Sequence, residues 1–202
     1  MGPAPGPAGG ARRLTGGVLD VTVTYLEMGQ APDTPPGPAP FPDLALGRVA
    51  RPSVEGYRFL YDKVGAPWLW HERRRLSDQA LVRLLADPRL EILVLANAGR
   101  VAGFAELDRR LPPDCKLAYF GLIPNYIGRG LGRWLLAEAI ARAWAGRPRR
   151  LLVNTCTFDH PAALPLYRRA GFTVVEEVER RIRDPRASGL LPPDAAPHIP
   201  LG

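Results

Sequence analysis

The stretch Leu117–Trp144, LAYFGLIPNYIGRGLGRWLLAEAIARAW, decides the fold: it reads as a strand, a glycine-punctuated turn and a long amphipathic helix. Leu131, Leu135 and Ala139 fall on one helical stripe with Leu136, Ile140 and Trp144 beside it, and Glu138 and Arg142 are placed for an i,i+4 pair on the outer side. Where such a helix begins, its first backbone N–H groups have no intrahelical partner and carry the positive end of the dipole. Gly128, Gly130 and Gly132 remove side chains there, so an anion such as a pyrophosphate can approach the amides of Arg129 to Arg133 closely.

Glycines before a helix also serve as a plain turn, so the surrounding pattern must choose. A dinucleotide fingerprint needs a third glycine, and position 135 is Leu; a Walker loop needs GK followed by Ser or Thr, and Gly132 is followed by Arg133. A second segment, Asp159 to Phe172 (DHPAALPLYRRAGF), carries a polar residue, an Ala, a Tyr and a terminal Gly-Phe at fixed spacing. Together, in this order, the two segments resemble the signatures of the GCN5-related N-acetyltransferase (GNAT) superfamily.

Composition bounds the alternatives. A chain of 202 residues suits one domain once irregular segments are subtracted. Pro 23 and Gly 21 are high beside an ordinary 46% apolar content. The excess lies in residues 1–17, expected to be disordered or loosely ordered, in a Pro-rich insertion at 30–47, and in a Pro-containing tail at 184–202; residues 18–183 form the expected single domain. The net charge of +7 and pI of 10.0 suit an anionic partner, but the basic residues are scattered and nearly all Arg, with Lys63 and Lys116 the two lysines. No recognition-helix or aromatic-interleaved basic pattern supports a nucleic-acid partner. Cys115 and Cys156 lie in apolar strand-like runs, which suggests buried thiols in a reducing compartment. The N-terminus has no signal-peptide core and no window nears the ~18 apolar residues of a spanning helix, so a cytoplasmic protein without membrane contact is expected.

Along the chain, Leu19–Met28 alternates as a first strand. Ser53 caps a helix through Tyr57, Leu60, Tyr61 and Val64, and Ser77 opens a second through Leu81, Leu84 and Leu85. Glu91–Asn97 and Arg100–Asp108 form a hairpin turning at Ala98-Gly99, with Phe104, Glu106 and Asp108 on one face and Val101, Gly103, Ala105 and Leu107 on the other. Cys115–Leu122 leads into the glycines. Arg150–Thr155 has parallel-strand character, Pro161–Ala170 is a short helix stopped by Gly171, and Phe172–Ile182 is the last strand. The order β-α-α-β-β-β-α-β-α-β gives an α/β fold, a GNAT-like mixed central sheet with helices on both faces.

The resemblance implies acetyl-CoA as co-substrate and no metal. It places pyrophosphate on Gly128, Arg129, Gly130, Leu131, Gly132 and Arg133, and pantetheine along Leu122 and Ile123, where a splayed strand leaves backbone donors for the oxyanion. Ile127 stands where the family usually has Arg or Gln, which removes a side-chain contact but not the backbone cradle. His160 stands where Asn is usual, as a helix cap or as a contact to pantetheine or substrate. Tyr167 matches the family's general acid, although its helical spacing also suits core packing. Glu106 is the candidate base, or an ordinary strand residue, and Trp68, Trp70 and His71 lie where the family shapes its acceptor pocket. The implied activity is acetyl transfer to a primary amine of a small molecule by direct attack. A protein or peptide amine, or a non-catalytic acyl-CoA sensor, is the alternative; oligomeric state is left open, a homodimer included.

Overall fold

The computed structural model describes residues 17–202, so the expectation for the N-terminal segment lies outside the described residues except at Gly17. Among the described residues the strands are Val18–Met28 (β1), Leu44–Arg48 (β2), Leu90–Asn97 (β3), Arg100–Asp108 (β4), Cys115–Leu122 (β5), Leu151–Cys156 (β6) and Thr173–Arg183 (β7). They form one sheet ordered β2-β3-β4-β5-β6-β1-β7, antiparallel except where β5 runs parallel to β6. The helices are Val54–Gly65 (α1), Asp78–Leu85 (α2), Leu131–Ala145 (α3) and Ala163–Arg169 (α4). No helix of the described residues is long and apolar enough to cross a membrane.

Local chemistry sets these boundaries. The hydroxyls of Ser53 and Ser77 accept from Gly56 N–H at 3.0 Å and Ala80 N–H at 3.2 Å, which starts α1 and α2 where the caps were expected. Ala98 and Gly99 both take positive φ, 48° and 73°, the geometry of a tight hairpin turn between β3 and β4. On one side of the sheet, Leu131, Leu135 and Ala139 of α3 bury against Ala105, Leu107, Leu117 and Val153. On the other, Tyr57 and Tyr61 of α1 and Leu81 of α2 pack on Ile92 and Phe104. Each large apolar side chain buried in this way contributes roughly 1.5–3 kcal/mol.

Four expectations need correction. The Pro-rich insertion is not wholly irregular: its end forms β2, an edge strand paired with β3 from Leu44 opposite Asn97 to Arg48 opposite Leu93. Val101 does not share a face with Ala105 and Leu107. Leu95 stands opposite Gly103 and Ala96 opposite Val101, so Ala102 is an extra residue that reverses the alternation, and Val101 packs with the α1 cluster. Arg142 does not pair with Glu138; with Arg109 it brackets Glu91, at 2.9 Å each.

The tail is the fourth. Residues 184–202 lack periodicity but fold, because the buried Arg186 guanidinium binds Asp184 at 2.8 Å and donates to the carbonyls of Ile199 and Pro200 at 2.8 Å. Leu191, Ala196 and Ile199 then bury with Leu19 and Leu69. Carbonyl satisfaction by one side chain needs no repeat, so no periodic pattern announced it.

Candidate active site

The cradle is present at the start of α3. Gly128 and Gly130 have φ of 82° and 79°, a left-handed conformation that L side chains rarely adopt, and a Cβ at either would meet nothing within 4 Å. Gly130 is the N-cap and supplies no side chain to the first amides of α3, nor does any acidic residue stand in the first turn. Open space, unpaired amides and the helix dipole together fit a pyrophosphate, with Arg129 and Arg133 adjacent. Arg133 also lines a second pocket of about 680 Å³, under residues Ala31 to Pro36.

From the cradle a cavity of about 270 Å³ runs into the sheet. It opens because β5 and β6 are paired only from Cys115 opposite Leu151 to Leu117 opposite Val153. Immediately after, Glu106 faces Tyr119 while Leu107 faces Leu117, so Ala118 is an extra residue on β5, and the bulge turns the strand away from β6. Ile123 N–H donates to Ala102 carbonyl at 2.8 Å, and strand alternation therefore points the N–H of Leu122 toward the cleft. Gly128, Gly132, Leu122, His160 and Tyr167 all line this one cavity. Ile123 does not; it packs on the α1 side.

Tyr167 sits on α4 with 5% of its surface exposed, its ring against Phe120 and Phe172. Burial, helped by the charge of Asp159, pushes its phenol well above the ordinary tyrosine range, so it remains a proton donor. Asp159 is fully engaged: it accepts from Thr155 Oγ1 at 2.8 Å, Cys156 N–H at 3.0 Å and Trp70 Nε1 at 3.1 Å, closing the β6–α4 loop. His160 Nδ1 accepts from Ala162 N–H at 3.1 Å, which ties the turn before α4 without capping the helix, and the residue also lines the cavity. Cys156 lines the cavity and is half-buried, not buried as expected; desolvation pushes its thiol up to about 12.

Glu106 is not brought to the cavity wall. It is fully buried under α1, with Oε1 on Arg73 Nη2 at 2.5 Å and Oε2 accepting from the Tyr57 hydroxyl. Burial and the Glu106 charge hold Tyr57 protonated, far above its usual range. Burial works against the charge on Arg73, but the adjacent Glu106 carboxylate outweighs it and keeps the guanidinium charged. Among the described residues no group of three or more His, Cys, Asp and Glu side chains could hold a metal ion.

The segment between α1 and α2 closes the far end. Trp70 lies flat on the end of α1, where a Cβ on Gly65 would come within 2.3 Å of its ring, and donates to Asp159. Trp68 stands between the rings of His160 and His198, 5.2 Å and 5.3 Å from their centroids, which joins the β6–α4 loop to the tail. Leu69 between them takes φ 57°, a strain of about 1–2 kcal/mol that its burial under Leu191 and Ile199 offsets. Both tryptophans line the cavity, whereas His71 is buried beneath it with Nδ1 2.9 Å from the Leu69 carbonyl. Sequence reading passed over several wall residues, Asn154 and Glu72 among them; Glu72, an exposed carboxylate, follows His71 in no motif that marks it.

Comparison with known proteins agrees with this geometry. The family model described as the Acetyltransferase (GNAT) family matches residues 57–172. The chain is 35% identical over 113 residues to the N-alpha-acetyltransferase RimI of Mycobacterium tuberculosis, covering 54% of this chain and 67% of that protein. It is 32% identical over 101 residues to an uncharacterised N-acetyltransferase of the same organism, covering 49% of this chain and 63% of that one. A GCN5-related N-acetyltransferase from Sphaerobacter thermophilus shares the fold with a TM-score of 0.59 at 18% identity, over 81% of this chain and 52% of its own. The chain thus spans roughly two thirds of these relatives' length and about half of that structure. With the cradle, the splayed strands and Tyr167 all inside the matched span, the chain belongs to the acetyltransferase (GNAT) family.

Proposed function

We propose that this protein transfers the acetyl group of acetyl-CoA to the primary amine of a small molecule by direct attack, in a cytoplasmic setting. One observation carries the reading: a single cavity joins the unpaired amides of α3 to an acceptor end walled by Trp68 and Trp70. The amides of Arg129 to Arg133 hold the pyrophosphate, and pantetheine follows the open edge of β5 past Leu122. The acceptor nitrogen attacks the thioester carbon, forming the C–N bond. The oxyanion then accepts from Leu122 N–H, and a proton leaves the nitrogen. As the C–S bond breaks, Tyr167 donates a proton to the departing thiolate, whose own basicity rises in the same dry cavity. Tyr167 then regains through solvent the proton that left the nitrogen, so the products are the N-acetyl amine and coenzyme A with no net proton from the free amine, or one proton passed to solvent when the acceptor arrives as its ammonium. Glu106 acts on this site through Arg73, which it holds over the Tyr119 ring of the cavity wall, as a positioning residue rather than as the base.

The likeness to RimI favours a second acceptor, the N-terminal amine of a peptide. Thiol release from acetyl-CoA, measured against a panel of small primary amines and a panel of short peptides with free N-termini, separates the two. The proposal expects turnover at least tenfold faster with the best small amine, since the tryptophan-walled end admits little backbone. Faster turnover with peptides would replace the acceptor, and no release with either would overturn the activity.

A further inference from the structure

The acceptor end of the cavity has a charge pattern of its own. Its wall residues include two carboxylates, Glu72 and Asp159, and no Lys or Arg. Asp159 is consumed by its three donors, but Glu72 is different. Its Oε2 accepts from the Tyr61 hydroxyl at 3.1 Å and, weakly, from His71 N–H at 3.4 Å, while Oε1 has no partner among the described residues. The neighbouring cations are committed elsewhere, Arg73 to Glu106 and Arg74 to Asp62 at 2.8 Å. Glu72 is therefore a carboxylate at a cavity mouth, anchored on one oxygen and lacking an ion-pair partner among the described residues.

Aromatic rings complete the setting. Trp70 and Tyr119 share the wall with Glu72, and their centroids lie 5.2 Å apart. Arg73 already lies over the Tyr119 ring, 4.9 Å from its centroid, so an ammonium beside Glu72 meets the carboxylate within an aromatic wall, a combination that recognises organic cations. Lys116 and Arg73 carry the nearest positive charges, but Arg73 is neutralised by Glu106, and Lys116, although close enough to feel the Glu72 charge, makes no ion pair with it among the described residues and does not line the cavity. Tyr61 and Tyr119 are both held protonated, by burial first, so they contribute dipoles and no charge.

We propose that Glu72 binds the acceptor's ammonium group and takes its proton, and that the acceptor is a cationic primary amine on an apolar or aromatic body, without a carboxylate beside the amine. The step balances. The N–H bond of R–NH3+ breaks, its proton moves to the Glu72 carboxylate and the freed lone pair attacks the thioester carbon. Glu72, exposed to solvent, releases that proton to water. An α-carboxylate on the acceptor would meet Glu72 and Asp159 with no cation on the wall to offset it, which excludes free amino acids. This inference rests on the acetyltransferase reading of the same cavity.

Three probes test it by thiol release from acetyl-CoA at neutral pH: 2-phenylethylamine, phenylalanine, which adds only the carboxylate, and hydroxylamine, a nucleophile that is already neutral. The wild type should turn over 2-phenylethylamine at least tenfold faster than phenylalanine. Glu72→Gln should lower the ratio of 2-phenylethylamine to hydroxylamine turnover by roughly a hundredfold, within the usual range for a general base. Coenzyme A should still raise the variant's melting temperature, which excludes misfolding. An unchanged ratio, or equal losses with both nucleophiles, overturns the role of Glu72; equal use of phenylalanine overturns the acceptor class. A wild type silent with all three probes overturns the acetyltransferase reading instead.

Discussion

Tyr167→Phe is expected to keep the fold and coenzyme A binding while lowering turnover roughly tenfold to ten-thousandfold, about 1.4 to 5.5 kcal/mol of barrier. The ring packs between Phe120 and Phe172, and a Phe retains those contacts, so only the hydroxyl is lost. That hydroxyl lines the cavity and has no hydrogen-bond partner among the described residues. Burial raises its pKa above the ordinary range, so its donor form persists through neutral and mildly alkaline pH and its titration should leave no limb in the pH–rate profile there. Steady-state kinetics with the best amine of the panel provide the check. Turnover within about twofold of wild type would make Tyr167 a core residue and leave thiolate release to water.

Arg73→Met should destabilise the protein by about 3–5 kcal/mol, because it strands the Glu106 carboxylate in the core without its cation. Tyr57 would remain as a donor, but one neutral hydroxyl does not replace an ion pair. Adding Glu106→Gln should recover part of the loss, because it removes the stranded buried charge. Urea unfolding of the two variants and wild type measures both effects. A loss below about 1 kcal/mol, or no recovery in the double variant, would mean that the network contributes only packing.

The parts legible in the sequence are those with a local signal. Gly128 and Gly130 before the amphipathic helix describe both the backbone geometry and the open space, since both follow from missing side chains, whereas Gly132 is already helical and leaves only ordinary contacts. Serine caps, the Ala98-Gly99 turn and the Tyr167 spacing are likewise local. What escaped depends on residues distant in sequence. Glu106 on a regular strand gives no hint that Arg73, 33 residues earlier, will cover it, and so its burial read as accessibility. The extra residue at Ala102 is invisible to alternation because a bulge is fixed by the facing strand. The tail folds through one arginine gathering carbonyls, and Glu72 gains meaning only when Tyr61, Trp70 and Tyr119 converge on it.

Coenzyme A titration of the wild type and of Gly132→Glu tests the cradle, on which the proposed chemistry depends, most directly. A Cβ at position 132 would lie 3.7 Å from Leu122 and 4.0 Å from Leu166, ordinary contacts, so the folded protein accepts the side chain. The glutamate nonetheless places bulk and negative charge where the pyrophosphate would rest. The wild type should gain about 2.7 kcal/mol of stability at a coenzyme A concentration 100 times the dissociation constant, read as a rising melting temperature. Gly132→Glu should fold and show no rise. A folded Gly132→Glu variant whose melting temperature climbs with coenzyme A as the wild type's does would contradict the placement of the cofactor on α3.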